Sequence, residues 1–193
     1  MSIRVTHSGL ISMIFGILNI VIGFGFSLIL TRNLSVTEYG TWGLIIGIVA
    51  YATIIDPLIS YWSTRESARN IESGKTATYS SFLISSIGMM IYFISAFTIS
   101  ELHLDQNIIL LGSIIIPVII LKRVLDSICL GWKPQGLAYG QIIFGIVQIT
   151  MGFILIYVLN LGITGVILTV ITAHSMNIIF YIFYNKERLS NSI

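Results

Sequence analysis

The side chains of this chain that could do chemistry lie where lipid would reject them. Lys122, Arg123 and Asp126 close one long apolar run, Asp56-Pro57 interrupts another, and His174 sits in the middle of a third. Ionisable groups at membrane depth are costly, and their common uses are substrate and ion pathways. Lys122 and Arg123 could hold a phosphate, Arg123 better because its planar fork meets an oxyanion with two parallel bonds. Asp56, Asp126 or His174 could take up a proton or a cation. Asn19, Gln141 and Gln148 carry amides that need partners or water and could bind a hydroxyl-rich solute. Each group also has a plainer use. Asp56 can reach the headgroups or pair with Arg65, and Lys122 and Arg123 can snorkel to the interface. Asp126, at i+4 from Lys122 and i+3 from Arg123, can neutralise them within one turn. His174 can stay neutral and hydrogen-bonded in a core.

No enzyme is expected. The chain has no nucleotide-binding glycine loop, no clustered metal ligands and no nucleophile spaced from a base. His7, His103 and His174 are too scattered for one site, and the single Cys129 excludes an internal disulfide or a cysteine-based metal cluster. No metal, cofactor or nucleic acid is called for.

The elements that must position these groups are membrane helices. A mean hydropathy of +0.95, with 55% hydrophobic and 9% charged residues, excludes an ordinary soluble domain, in which about a quarter of residues are charged. Six apolar segments, about 9–31, 41–62, 79–100, 108–130, 137–160 and 163–184, predict an all-α polytopic membrane protein. They form one bundle over 1–193 with no soluble domain. Only eight residues precede the first run, which is too long for a signal-peptide core, so an uncleaved anchor is expected. The fourth segment needs its charges: Ile108–Leu121 spans about 21 Å at 1.5 Å per residue, short of a ~30 Å hydrocarbon core. The helix therefore either continues through Lys122, Arg123 and Asp126 or starts back at Leu102 and takes in Asp105; the first is preferred, with a stop at Gly131 and Pro134.

Placing both termini in the cytoplasm puts Arg4, Arg65, Arg69, Lys75, Lys122, Arg123, Lys133, Lys186 and Arg188 on that side and only Arg32 outside. That is a strong positive-inside bias. The polar 63–78 link then lies near anionic headgroups. Before the second span, Ser35-Val36-Thr37-Glu38 has the form of a capping box, and Tyr61-Trp62 supply interface aromatics. Pro57 and Pro117 cannot donate to the carbonyls of Thr53 and Ser113, so a break is expected at each.

At 100° per residue, helical stripes of small and polar residues emerge. The first span aligns Gly9, Ser12, Gly16, Asn19, Gly23 and Ser27, and the third Ser81, Ser85, Gly88, Tyr92 and Ser95. The fifth aligns Ala138, Gln141, Gly145, Gln148 and Gly152; the sixth has Gly165, Thr169 and Thr172 on one side and His174, Asn177 and Tyr181 on another. Such stripes predict close helix packing, with a water-filled cavity as the alternative for the amides.

The segment RNLSVTEYGTWGL…DPLISYWSTRESAR resembles the first outer turn and second helix of the polysaccharide-biosynthesis flippases. These are the Wzx-type and related archaeal members of the multidrug/oligosaccharidyl-lipid/polysaccharide exporter superfamily. Leu34-Ser35 followed by Glu38-Tyr39-Gly40 carries most of the likeness, which extends more loosely through the GWKPQG turn to the sixth helix. It implies one six-helix lobe of a MATE-like transporter, the N-terminal half of a two-lobed machine. The implied activity is flipping of a polyprenyl-linked oligosaccharide across the cytoplasmic membrane by alternating access, with a second six-helix half or another copy of the chain as partner. In that setting Lys122 and Arg123 would face the phosphate, while Asn19, Gln141 and Gln148 would face the sugar. Two alternatives stay open: a cation-coupled drug exporter of the same superfamily, and a non-transporting scaffold for glycan assembly.

Overall fold

A computed structural model of the chain describes residues 5–71, 73–99 and 105–190, with side chains from Gly16 onward apart from those of 99, 106, 188 and 190. Arg4 and His103, and the side chains of His7, Gly9, Ser12 and Arg188, lie outside what it describes. Most of the described residues are helical, and none of them is in a strand. In chain order the helices are α1 (Val5–Asn33), α2 (Val36–Ala52), α3 (Asp56–Ala68), α4 (Gly74–Ile99), α5 (Gln106–Ser113), α6 (Ile115–Trp132), α7 (Gln135–Gly152), α8 (Gly162–Tyr184) and α9 (Lys186–Ser190). A π-helical turn, Phe153–Val158, prolongs α7. Five helical stretches are long and apolar enough to cross a membrane, and α2 with α3 makes a sixth if the bent pair is one span.

The α2 start is built by its sequence. Ser35 caps the helix: its hydroxyl accepts from Glu38 N at 3.3 Å, while the Glu38 carboxylate accepts from Ser35 N at 2.9 Å. The same carboxylate reaches the start of α8 over Gly162, whose φ of +54° suits glycine. Ser35→Ala is expected to cost about 1 kcal/mol, read as a lower melting temperature of the detergent-purified chain; an unchanged melt would mean that the Glu38 contact at α8 fixes this corner alone.

The two prolines act differently. Beyond Ala52 the backbone turns, Asp56 N donates to the Thr53 carbonyl at 3.1 Å in place of the missing proline N–H, and α3 leaves at 56° to α2. Pro57 falls in the first turn of α3, where its lack of a donor costs nothing. Pro117 interrupts the ladder at Ile114, yet α5 and α6 together remain one apolar span from Asn107 to Trp132. The polar link expected at 63–78 is shorter than that. Helix α3 runs on to Ala68 and ends in a Schellman motif: Asn70 has φ 60°, Asn70 N donates to Ser67 O and Ile71 N to Glu66 O. Gly131 is not the stop of α6, because the helix runs on through Trp132 to a cap at Lys133.

Packing fixes the register. α3 and α6 run parallel, with Asp56 opposite Arg123 and Thr64 opposite Gly131. α1 lies parallel to α7, where Gly145 receives Ile22 and Gly152 receives Phe26. The stripe of α4 is consumed inside the bundle: Ser81, Ser85 and Tyr92 are buried, and Gly88 lies against the Ala52 carbonyl. The stripe of α1 is not, since Gly16 and Gly23 meet nothing within 4 Å and Ser27 is exposed. Two apolar clusters result. One takes Ile45, Ile48, Ile116, Ile120, Val166 and Val170, and the other Val124, Leu125, Ile128, Ile178 and Tyr181. The seam between them falls between Ile120 and Val124 on α6 and between Val170 and Ile178 on α8, and the charged residues occupy it.

Candidate functional site: a charged cleft at helix depth

Four residues singled out by sequence meet at this seam. Asp56, one of the most buried acids at 2% exposure, is met by the Arg123 guanidinium, whose Nη1 donates to Asp56 Oδ2 at 3.2 Å. Ser60, one turn along α3, donates to Asp56 Oδ1 at 3.3 Å. On α6, Lys122 pairs with Asp126 at 2.5 Å. The four charges therefore sum to zero, in one pair within a helix and one between helices. Arg123 does not join Asp126, and Asp56 pairs with Arg123 rather than Arg65.

A cleft of about 550 Å³ opens beside these pairs between α3, α6 and α7. Asp56, Ser60, Thr64, Arg123, Asp126 and Gln141 give it a polar wall. Pro57, Leu130 and Leu137 line the rest. The Arg123 side chain is 46% exposed, against 3% for that of Asp56. The acid is thus the buried partner, and the guanidinium is presented to the cleft. A planar donor fork held at one edge by a carboxylate keeps its other N–H groups for an anion.

The remaining candidates sit elsewhere. The His174 ring lies tilted against Phe144 with centroids 4.7 Å apart, and its buried Nδ1 has no hydrogen-bond partner. It does not line the cleft. Asn19 and Gln148 are half-buried and do not line the cleft. Asn177 and Tyr181, a stripe by sequence, carry the polar layer across α8. Asn177 Oδ1 and the Tyr181 hydroxyl both lie over Gly140, where a Cβ would collide with them. Asn185, which no pattern singled out, donates to the Leu125 carbonyl at 3.2 Å and ties the end of α8 to α6. Among the described residues, no three His, Cys, Asp or Glu side chains could share a metal ion.

Set against family models, curated proteins and solved structures, the chain matches none of them.

Proposed function

We propose that this chain is one lobe of a flippase for polyprenyl-linked oligosaccharides in the cell membrane, working by alternating access. The observation that carries the reading is Arg123, anchored by a buried Asp56 and half-exposed in a cleft at helix depth. Moving a glycan and its diphosphate through an apolar slab requires a polar recess with a cation for the phosphate. Arg123 supplies the cation, with Lys122 beside it, and Gln141 supplies an amide for a hydroxyl. A diphosphate entering the cleft competes with Asp56 for the same guanidinium. A proton taken up by Asp56 removes the competitor, which links substrate binding to protonation without a metal. Arg123→Ala should then lower flipping of a fluorescent polyprenyl-linked glycan in vesicles at least tenfold while membrane insertion is retained, and Arg123→Lys should recover only part, because the fork is lost. Wild-type flipping by both variants would reduce Arg123 to a structural partner of Asp56.

The orientation belongs to the same reading, with the end at which α1 starts in the cytoplasm. In a Cys129→Ser background, Thr76→Cys should be silent to an impermeant thiol reagent added outside, and Val36→Cys should react. The reverse pattern would invert the assignment.

The open stripe on α1 supports a two-lobed assembly. Gly40, Gly43 and Gly47 of α2 likewise meet nothing within 4 Å. Rocking access needs two lobes about a shared site, and glycine faces let a second set of helices approach closely. Single copies counted by photobleaching in vesicles should therefore not flip the substrate. Flipping by vesicles that hold one copy would end the half-transporter reading.

A further inference from the structure

We propose that the cleft between the end of α1 and the π-helical turn binds one membrane phospholipid, with its phosphate on Arg32. This cleft lies at the opposite end of the bundle from the starts of α1 and α4. It has a volume of about 470 Å³ and is lined by Leu28, Ile29, Arg32, Asn33, Phe153 and Tyr157. The inference is independent of the transport reading, because it concerns binding alone.

Three observations converge. First, Arg32 has no ion pair among the described residues and stands exposed at the lip of the cleft. It is also the one Lys or Arg among the described residues at this end. An unpaired guanidinium in this position is complementary to a phosphate, which its fork grips with two parallel bonds. Secondly, the π-helical turn sets an aromatic wall. Leu159 N donates to Ile154 O, five residues back, and Phe153 stacks on Tyr157 with centroids 5.0 Å apart. π-helical turns are rare and concentrate at functional sites. Thirdly, the apolar floor runs into the outer surface of the bundle: Leu28, Phe153 and Tyr157 are 41%, 49% and 56% exposed, and Phe24 and Val158 beside them are exposed too. A ligand therefore enters from the bilayer with a chain along that surface and its head at Arg32. The abundant phosphate-headed species there is a phospholipid. Bound so, it would fill the space between α1 and the turn, and α1 otherwise packs chiefly on α7 and this turn.

The test titrates the detergent-purified chain with phosphatidylglycerol and, separately, with diacylglycerol, which lacks the phosphoglycerol head, and counts bound lipid by intact-complex mass spectrometry. Wild type should hold one phosphatidylglycerol more tightly than the rest and show no such site for diacylglycerol. Arg32→Gln should weaken that site about tenfold, the loss of one charge-assisted pair, and Arg32→Lys should weaken it less. Tyr157→Ala should weaken it as well, whereas Lys133→Gln at the other end should leave it unchanged. Lipid-free melting of each variant, equal to that of wild type, confirms folding; a variant that melts lower is replaced by Arg32→Met for the same comparison. Wild-type retention in both Arg32→Gln and Tyr157→Ala would overturn the site. Displacement of phosphatidylglycerol by an equal concentration of farnesyl diphosphate would overturn the phospholipid as its occupant.

Discussion

Replacing Gly131 with alanine is expected to force α3 and α6 apart. A Cβ at this position would run into the Thr64 carbonyl oxygen, and it would stand 2.7 Å from Ser67 Cβ and 2.9 Å from Ala68 N. Two of these three atoms belong to backbone and cannot rotate away, so the helices themselves must move. The contact is in register with the ion pair, because Thr64 to Gly131 and Asp56 to Arg123 span the same number of residues in two parallel helices. Spreading the pair at Gly131 therefore loosens the Arg123 contact about 12 Å further along, at 1.5 Å per residue. The expected cost is about 1–3 kcal/mol from overpacking, read as a lower melting temperature in detergent and an earlier denaturant midpoint. Gly25→Ala, where a Cβ would meet only Ile149 Cδ1 at 3.8 Å, serves as the control and should fall within about 0.5 kcal/mol of wild type. A Gly131→Ala protein that melts with that control would mean that the α3–α6 contact yields without cost.

The elements were legible in the sequence wherever a local rule governs them. The Ser35 cap is set by four consecutive residues, and the broken second span follows from Pro57 alone, so both could be anticipated. Six apolar runs needed only length and hydropathy. Ends set by longer-range contacts were not legible. Asn70 continues the polar composition of 63–78, and nothing in its type says that it stops a helix in a left-handed turn rather than lying in a loop. Gly131 before Pro134 has the composition of a helix stop, but it serves as the flat place where α3 packs. The candidate site divides the same way. Lys122 and Asp126 share a helix turn, so their pairing follows from spacing. Arg123 and Asp56 are on separate spans, and only the parallel register of α3 and α6 brings them together. Periodicity placed Gly16, Gly23 and Ser27 on one stripe and Ser81, Ser85 and Gly88 on another. It could not say that the first faces outward and the second is buried, since that depends on which neighbours each helix finds.

Arg123→Gln is expected to cost more stability than Asp56→Asn, although both break the same pair. The difference follows from where each charge is left. With Arg123 gone, the Asp56 carboxylate stays 3% exposed, with only the Ser60 hydroxyl at 3.3 Å to answer it. An uncompensated buried charge of this kind costs about 3–5 kcal/mol. With Asp56 made neutral, the Arg123 guanidinium is already 46% exposed, and water in the cleft can solvate it. That loss should be nearer the ~1 kcal/mol of an ordinary hydrogen bond. The double variant Asp56→Asn/Arg123→Gln removes both charges and should melt close to Asp56→Asn, well above Arg123→Gln. A double-mutant cycle on denaturant midpoints then gives a coupling of a few kcal/mol, within the range found for groups in contact. Strictly additive single effects would show that the pair contributes no interaction of its own. The asymmetry also bears on the proposed transport cycle. If Asp56 is the group that lets go of Arg123, the Asp56→Asn protein should bind a soluble diphosphate such as farnesyl diphosphate more tightly than wild type, because the competing carboxylate is gone. The same variant should lose the dependence of flipping on an imposed proton gradient. Unchanged diphosphate affinity in Asp56→Asn would separate the salt bridge from the anion site and leave the pair as a structural bond between α3 and α6.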